Sequence, residues 1–442
     1  MADKSLDVSR RKFVMTSMSA ALSIKLPARY SKVNEGADPM PKRILSNWVN
    51  GFMKYTSCLP SPEIFRLWTA YSTIAGALER RCWTYSSGRV LHPNMIVLLV
   101  GNPGVGKSVA IIEAHSLWAK TTVFNVAPAS MTKAAFIDQI NSKIKSFEFD
   151  GVVKQYSALL LAAPEFGTLL PEYDSQFLSV LNDIYDCNEV AEDRTRGGGL
   201  ISVQRPHVNI VAGTQPAYLG NKIPESAYGE GFMSRVIMIY AGERVIVDLF
   251  NDEAEGRDKE LGVNLLHDLS IISKLKGQFE WSEAAKESIN AWNRVYLEDA
   301  PTHVRLQNYN TRRIIHTMKL AMSVSVSTGN DLFVKEEDYL LARKLVKQAE
   351  VLMPEIFKEM TTSADAANLE EIQLFVHTYC QKRKKESVPE PELVDFMCKK
   401  IPVNRVDFFI DVMLRSGRIV VAKGIDLPGH RNFSARAISI LD

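Results

Sequence analysis

The apolar positions change period along the chain. Residues 1–42 are polar, with Gly36, Pro39 and Pro41 near their end, and read as a mobile arm. Residues 43–80 carry two helical patterns separated by Pro60 and Pro62. In the second, Ile64, Leu67, Trp68, Tyr71, Ile74 and Leu78 recur at the spacing of one helix face. A short strand is expected near 82–85, followed by a turn at Ser87-Gly88. Residues 95–100 are continuously apolar, as in a strand buried on both faces of a parallel sheet. From there strands and helices alternate: a helix at 107–120, a short strand at 123–126 and a helix at 132–147. A strand at 157–162, a helix at 176–187 and strands at 208–212 and 235–240 follow. From 282 to 360 the pattern is helical, and small residues at 363–367 read as a linker. The remainder, 368–442, reads as three helices and then two strands, an order that fits a winged helix or a generic small α+β domain.

This alternation predicts an α/β protein with a doubly wound core. The expected divisions are a flexible arm at 1–42, a helical segment at 43–92, a core at 93–280, a helical lid at 281–362 and a winged-helix-like domain at 368–442. Composition adds little to this picture. The 442 residues are 46% apolar and 24% charged, ordinary for a soluble globular protein that needs neither disulfides nor metal to build a core. The net charge of +2 neither requires nor excludes nucleic acid, because local patches matter more. The five cysteines are scattered and form no CxxC pair, which argues against a disulfide framework or a zinc site. No apolar run reaches the length of a membrane span. Ser9-Arg10-Arg11-Lys12-Phe13 resembles a twin-arginine export signal. The apolar stretch that follows it is broken by Ser and Thr, so a basic arm on a cytoplasmic protein is the preferred reading.

Chemistry concentrates at Gly101-Asn102-Pro103-Gly104-Val105-Gly106-Lys107-Ser108, with Val109 next. The pattern GxxxxGK[ST] is a phosphate-binding loop, and here it has the required context of a buried strand before it and a helix after it. The glycines let backbone N–H groups converge on phosphate oxygens. Lys107 is placed for the β- and γ-phosphates of ATP, and the Ser108 hydroxyl for Mg²⁺. Glu165, at the end of the apolar run 159–163, is the candidate to polarise the attacking water. Pro164 stands where such sites usually carry an Asp for the Mg²⁺ shell. Strand 208–212 ends in Gly213-Thr214-Gln215-Pro216. Thr214 and Gln215 are both candidates to hold the water or the γ-phosphate, with Thr214 preferred. Two arginine sites follow: Arg235 in Gly231-Phe232-Met233-Ser234-Arg235, and Arg312 or Arg313 in the basic start of a helix, with Arg312 preferred.

In order and spacing these segments resemble the AAA+ ring helicases, the minichromosome-maintenance type most closely. They also resemble uncharacterised P-loop replication proteins of phages and plasmids. The likeness spans roughly 43–360. It implies a ring, with a hexamer expected, that uses ATP to move along DNA. It implies that Arg235 acts as a finger on the neighbouring subunit's γ-phosphate and that Arg312 reaches the phosphates from the lid. It further implies a pore hairpin between the acid and Thr214, where Arg194, Arg196 and Gly197-Gly198-Gly199 stand, with Arg205 a weaker DNA contact. A second basic group comprises Lys382, Arg383, Lys384 and Lys385, with Arg405, Arg415, Arg418, Lys423, His430, Arg431 and Arg436 in the last domain. Its expected reading helix is 404–415 and its wing 429–431. The sequence departs from the family at Pro164 and Thr214, and it lacks the family's N-terminal collar and zinc ribbon. The expected function is therefore an ATP-driven DNA helicase or translocase in replication of a phage or mobile element. The alternative is a DNA-binding AAA+ ATPase, a loader or transposition regulator, whose ATP controls assembly. A protein remodeller would need an aromatic pore loop, of which the sequence offers no convincing candidate, and a nucleotide kinase does not explain the late arginines.

Overall fold

The computed structural model describes residues 41–442 except 129, 170–173, 196–198, 230, 248–257, 423–429 and 436–442. The chain divides between Pro41 and Lys42, and every element below belongs to the unit from Lys42 onward. The expected arm and the twin-arginine stretch lie outside the described residues.

Helix α1 (Trp48–Tyr55) starts where the Asn47 side chain accepts from Asn50 N–H. Pro60 and Pro62 end that pattern, and α2 (Glu63–Leu78) begins directly after Pro62. From Trp68 onward α2 is buried on all sides, so it runs through the core rather than over it. Strands β1 (Cys82–Ser86) and β2 (Arg89–Leu91) form a hairpin. Its turn is Ser87-Gly88, both at positive φ, the geometry that matches the strands' twist.

The central sheet uses β3 (Ile96–Val100), β4 (Ile144–Phe149), β5 (Val152–Ala163), β8 (Pro206–Thr214) and β9 (Val236–Tyr240) in the order β4-β5-β8-β3-β9. The last four strands of that order are mutually parallel, and β4 is antiparallel to β5. Strands β3, β8 and β9 are buried at every residue; the uninterrupted apolar runs of β3 and β9 require this, whereas β8 also buries His207, Asn209 and Thr214. Around the sheet lie α3 (Lys107–Lys120), α4 (Lys133–Asn141), α5 (Ser175–Tyr185), α6 (Pro216–Lys222) and α7 (Glu225–Gly229). Strands β6 (Val190–Thr195) and β7 (Gly199–Gln204) form a separate hairpin between α5 and β8. The fold class is thus α/β with a largely parallel sheet.

Three sequence expectations change here. The helix expected over 132–147 stops at Asn141, and residues 144–149 are strand β4. Its exposure alternates residue by residue, and Asp150-Gly151, both at positive φ, closes a two-residue hairpin onto β5. Because β4 takes the edge of β5 over 152–157, the strand expected at 123–126 shrinks to one parallel bridge between Val126 and Leu160. The helical region begins earlier than expected, with α8 (Lys259–Ile272).

Short parallel pairings join β10 (Gly277–Gln278) to β1 and β11 (Glu280–Trp281) to β12 (Phe333–Val334). Helices α9 (Glu283–Arg294), α10 (Gln307–Asn310), α11 (Arg313–Thr328) and α12 (Glu336–Arg383) complete the helical region. Helix α12 has 48 residues and runs unbroken through 363–367, so the expected linker is helical. Alanine is the strongest helix former, and this stretch is rich in it. Helix α12 serves two cores. Val346, Met353 and Phe357 pack into the main one, and Ile372 and Val376 into a second. The second core is completed by β13 (Val388–Pro389), α13 (Glu390–Cys398), α14 (Val406–Arg415), β14 (Ile419–Val421) and β15 (Asn432–Ala435), with Leu393, Phe409 and Phe433 at its centre. Its three strands pair antiparallel in the order β13-β15-β14. Among the described residues, no helix is long and apolar enough to cross a membrane.

Candidate nucleotide site

The sheet ends evenly at one edge: Val100 of β3 lies opposite Thr214 of β8 and Tyr240 of β9. The chain leaves the sheet at Gly101, at the carboxyl end of parallel strands, where α/β folds bind ligands. Gly101 N–H donates to Thr214 O at 3.3 Å. A Cβ on Gly101 would lie 2.4 Å from Ala241 O, so only glycine allows this close approach. Gly104 and Gly106 have φ of 81° and 96°. A Cβ on Gly106 would lie 2.0 Å from Pro60 O, so the turn between α1 and α2 is the floor on which the loop rests. Val105 is buried and anchors the loop, while Asn102, Pro103 and Gly104 are exposed.

Lys107 opens α3, with Ser108 and Val109 half-exposed beside it in the first turn. That turn contains no carboxylate, so its free N–H groups and helix dipole favour an anion. Lys107 Nζ donates to Gly101 O at 2.7 Å and Asn102 O at 2.9 Å, which folds the ammonium across the loop. Burial lowers the pKa of this amine, and the charge of Glu165 works the other way. The two side chains are therefore within electrostatic reach of each other. Glu165 is exposed and caps a short turn, Phe166–Thr168, one residue past Pro164. A Cβ on Gly213 would lie 2.4 Å from Pro164 O and 3.4 Å from Lys107 Cβ, so Pro164 and Lys107 meet across the end of β8. Next to them Thr214 is buried, and its Oγ1 has no hydrogen-bond partner among the described residues. Gln215 caps α6 without a side-chain hydrogen bond.

The two late arginines come together elsewhere. Arg235 precedes β9, and Val236 lies opposite Ile96, at the other end of β3 from the loop. Four residue steps separate the two ends, roughly 13 Å. Arg235 holds Asp186 at the end of α5, and Arg312 Nη1 reaches the same carboxylate at 3.4 Å. Asn94 Nδ2 donates to Tyr185 O at 2.8 Å, which fixes this corner to the start of β3. Arg312 was expected to reach the phosphates from its own lid; the structure places it beside Arg235 instead, away from its own loop. Burial raises the Asp186 pKa, but the two arginines outweigh it and hold the carboxyl below its ordinary value. Arg313 is fully buried and bound to Glu350, Asp299 and the face of Trp292. Asp186 was missed in the sequence because nothing local distinguishes it from any helix-end carboxylate.

Hairpin β6–β7 stands where a pore hairpin was expected, with Arg194 opposite Leu200 in its register. Arg196, Gly197 and Gly198 lie outside the described residues. Arg205 is at the hairpin's root, where it bonds Glu189 at 2.8 Å. In the last domain, Arg405 is held by Asp365, Arg415 by Asp411 and Arg431 by Glu390. Lys423, Gly429 and Arg436 lie outside the described residues. Searches with the chain find no matching family model and no matching curated protein.

Proposed function

We propose that this chain is a P-loop ATPase that binds ATP at residues 101–109 and uses it to work on DNA as a ring oligomer, in replication of a phage or mobile element. The observation that carries this reading is the loop itself. It is a glycine turn at the carboxyl end of parallel strands, with Lys107 across its mouth, Glu165 within electrostatic reach and, buried beside it, a Thr214 hydroxyl with no partner among the described residues. These residues fit a triphosphate. Backbone N–H groups and Lys107 hold its phosphates, Glu165 orients water, and Thr214 supplies the hydroxyl that a γ-phosphate or water needs. A Mg²⁺ ion would contribute charge neutralisation between phosphates, held by Ser108 and by phosphate and water oxygens. Pro164 offers no carboxylate to its shell.

Arg235 and Arg312 support the ring. Both lie at the end of the sheet opposite the loop, too far to serve their own phosphates and grouped as a pair of cations for a neighbour's. DNA contact is assigned to Arg194, on strand β6, and to Arg196, which lies outside the described residues. The helix–strand–helix–helix–strand–strand order around the second core supports a winged helix. Pro164 favours the alternative, a slower ATPase that controls assembly on DNA without unwinding it. ATP hydrolysis by the purified protein, with and without single-stranded DNA, separates the two. DNA-stimulated turnover lost in Lys107→Ala and Glu165→Gln supports the motor. ATP binding without DNA-stimulated turnover supports the assembly switch.

A further inference from the structure

A second concave site lies far from the phosphate loop, at the amino-terminal ends of β5 and β8. It is a cavity of about 190 Å³ between hairpin β1–β2, hairpin β4–β5 and the root of hairpin β6–β7. Trp83 and Tyr85 are two residues apart on β1 and therefore share one face of it. Phe147 faces them from β4. Tyr85 is 55% exposed and stacks on no other ring among the described residues. Cations border these rings: Lys154 sits 4.9 Å above the ring of Trp83, and Arg205 is 44% exposed. Arg80 forms the floor, fixed by the carbonyls of Cys187, Asn188 and Pro206. One carboxylate, Glu189, opposes the three cations; it takes Nη2 of Arg80 and Nε of Arg205. Both Nη groups of Arg205 have no partner among the described residues, and Lys154 makes only ring contacts.

Stackable rings beside free cationic donors form the chemistry that holds one nucleotide of a single strand. The volume is below the roughly 300–1,000 Å³ of a site for a whole drug-sized ligand, so it suits a single planar base. Its position supplies the direction. Glu189 immediately precedes β6 and Arg205 immediately follows β7, so a strand lying along hairpin β6–β7 arrives at this cleft. We propose that the cleft binds a base of single-stranded DNA, which stacks against Tyr85 while Lys154 and Arg205 take its phosphates. This rests on the DNA-binding part of the function above. Stacking does not depend on base identity, so the cleft adds affinity rather than sequence preference.

The test uses the full chain and a fluorescent oligo-dT carrying one 5-iodouracil, read by anisotropy and by photo-crosslinking with peptide mapping. Crosslinks at Trp83 or Tyr85 are expected. Tyr85→Ala should weaken binding about 5- to 20-fold, by loss of one stacked base, at an unchanged melting temperature. Lys154→Gln should flatten the salt dependence. If wild type binds but crosslinks elsewhere, and Tyr85→Ala binds equally well, the cleft is not the site while DNA binding stands. If wild type binds no DNA, the cleft and the DNA reading fall together, and ATP hydrolysis without DNA shows whether the ATPase reading survives. Loss of the Tyr85 crosslink to excess free dTMP, with strand affinity unchanged, marks a mononucleotide site and overturns the strand assignment.

Discussion

Arg235 grips Asp186 through Nε to Oδ1 at 2.9 Å and Nη2 to Oδ2 at 2.5 Å, a planar two-point pairing. Arg312 shares that carboxylate, so one acid collects two cations at the end of the sheet remote from Lys107. If they serve a neighbour's phosphates, the defect of Arg235→Ala must be repairable by another subunit. Turnover should fall by at least about 10²-fold with ATP affinity kept, since such fingers contribute about 10³–10⁵ to rate. Mixing Arg235→Ala with Lys107→Ala protein rebuilds some interfaces that hold both an intact loop and an intact arginine. Steady-state turnover of the mixture should exceed the sum of its parts. A mixture that stays as inactive as its components, with assembly shown by light scattering, argues that Arg235 does not act across an interface.

The loop glycines should not be equivalent. Gly104 has a positive φ but open space around it, whereas Gly106 combines positive φ with Pro60 O at 2.0 Å from any Cβ. Gly104→Ala carries only backbone strain, about 1–2 kcal/mol, and should weaken ATP binding by about 30-fold or less. Gly106→Ala must push the loop off its floor and should abolish binding. Calorimetric titration of ATP into each variant decides this; equal losses would show that the Pro60 contact does not govern the loop.

These two glycines also show what was legible beforehand. A loop whose function depends on residues 101–109 and on the strand and helix joining them is local chemistry, and local chemistry is written in consecutive residues. Asp186 is the opposite case. It lies 49 residues from Arg235 and 126 from Arg312, and only the packing of α5, β9 and α11 makes them partners. Strand β4 was hidden for another reason: 132–147 holds enough apolar residues to satisfy a helical period, and only the alternation beside Asp150-Gly151 reveals the hairpin. The small residues at 363–367 suit a linker and a helix equally well, and packing at both ends of α12 decides between them.

The adjacent arginines of α11 should separate function from stability. Arg313 is fully buried and meets Glu350 and Asp299, so Arg313→Met leaves buried carboxylate without its cation. A loss of about 3–5 kcal/mol is expected, visible as a large fall in melting temperature. Arg312 is half-exposed, and Arg312→Ala should melt within a few degrees of wild type while slowing ATP turnover. The reverse pattern, a stable Arg313→Met and an unstable Arg312→Ala, would exchange their roles.

Three histidines make the fold acid-sensitive. Burial lowers His92 and His316 to about 3 and holds His207 well below its ordinary value. In the unfolded chain each titrates near 6.5. Between those values the unfolded state binds more protons, so stability is complete above about pH 6.5 and is lost as pH falls towards 3. At pH 5 His92 and His316 each subtract about 2 kcal/mol, and His207 adds to the loss in the same direction. His207 tests this most directly. It is fully buried, neither ring nitrogen has a hydrogen-bond partner among the described residues, and its ring meets His92 edge-on at 6.4 Å. His207→Phe keeps a ring in that place and removes both the unpaired nitrogens and the titration. It should raise the melting temperature slightly at pH 7.5, by relief of unsatisfied polar groups worth about 1–3 kcal/mol, less any strain from the larger ring. The gap over wild type should then widen at pH 5, because only wild type still loses the His207 contribution. A gap of the same size at both pH values would mean that His207 takes no part in the acid response, leaving His92 and His316 to account for it.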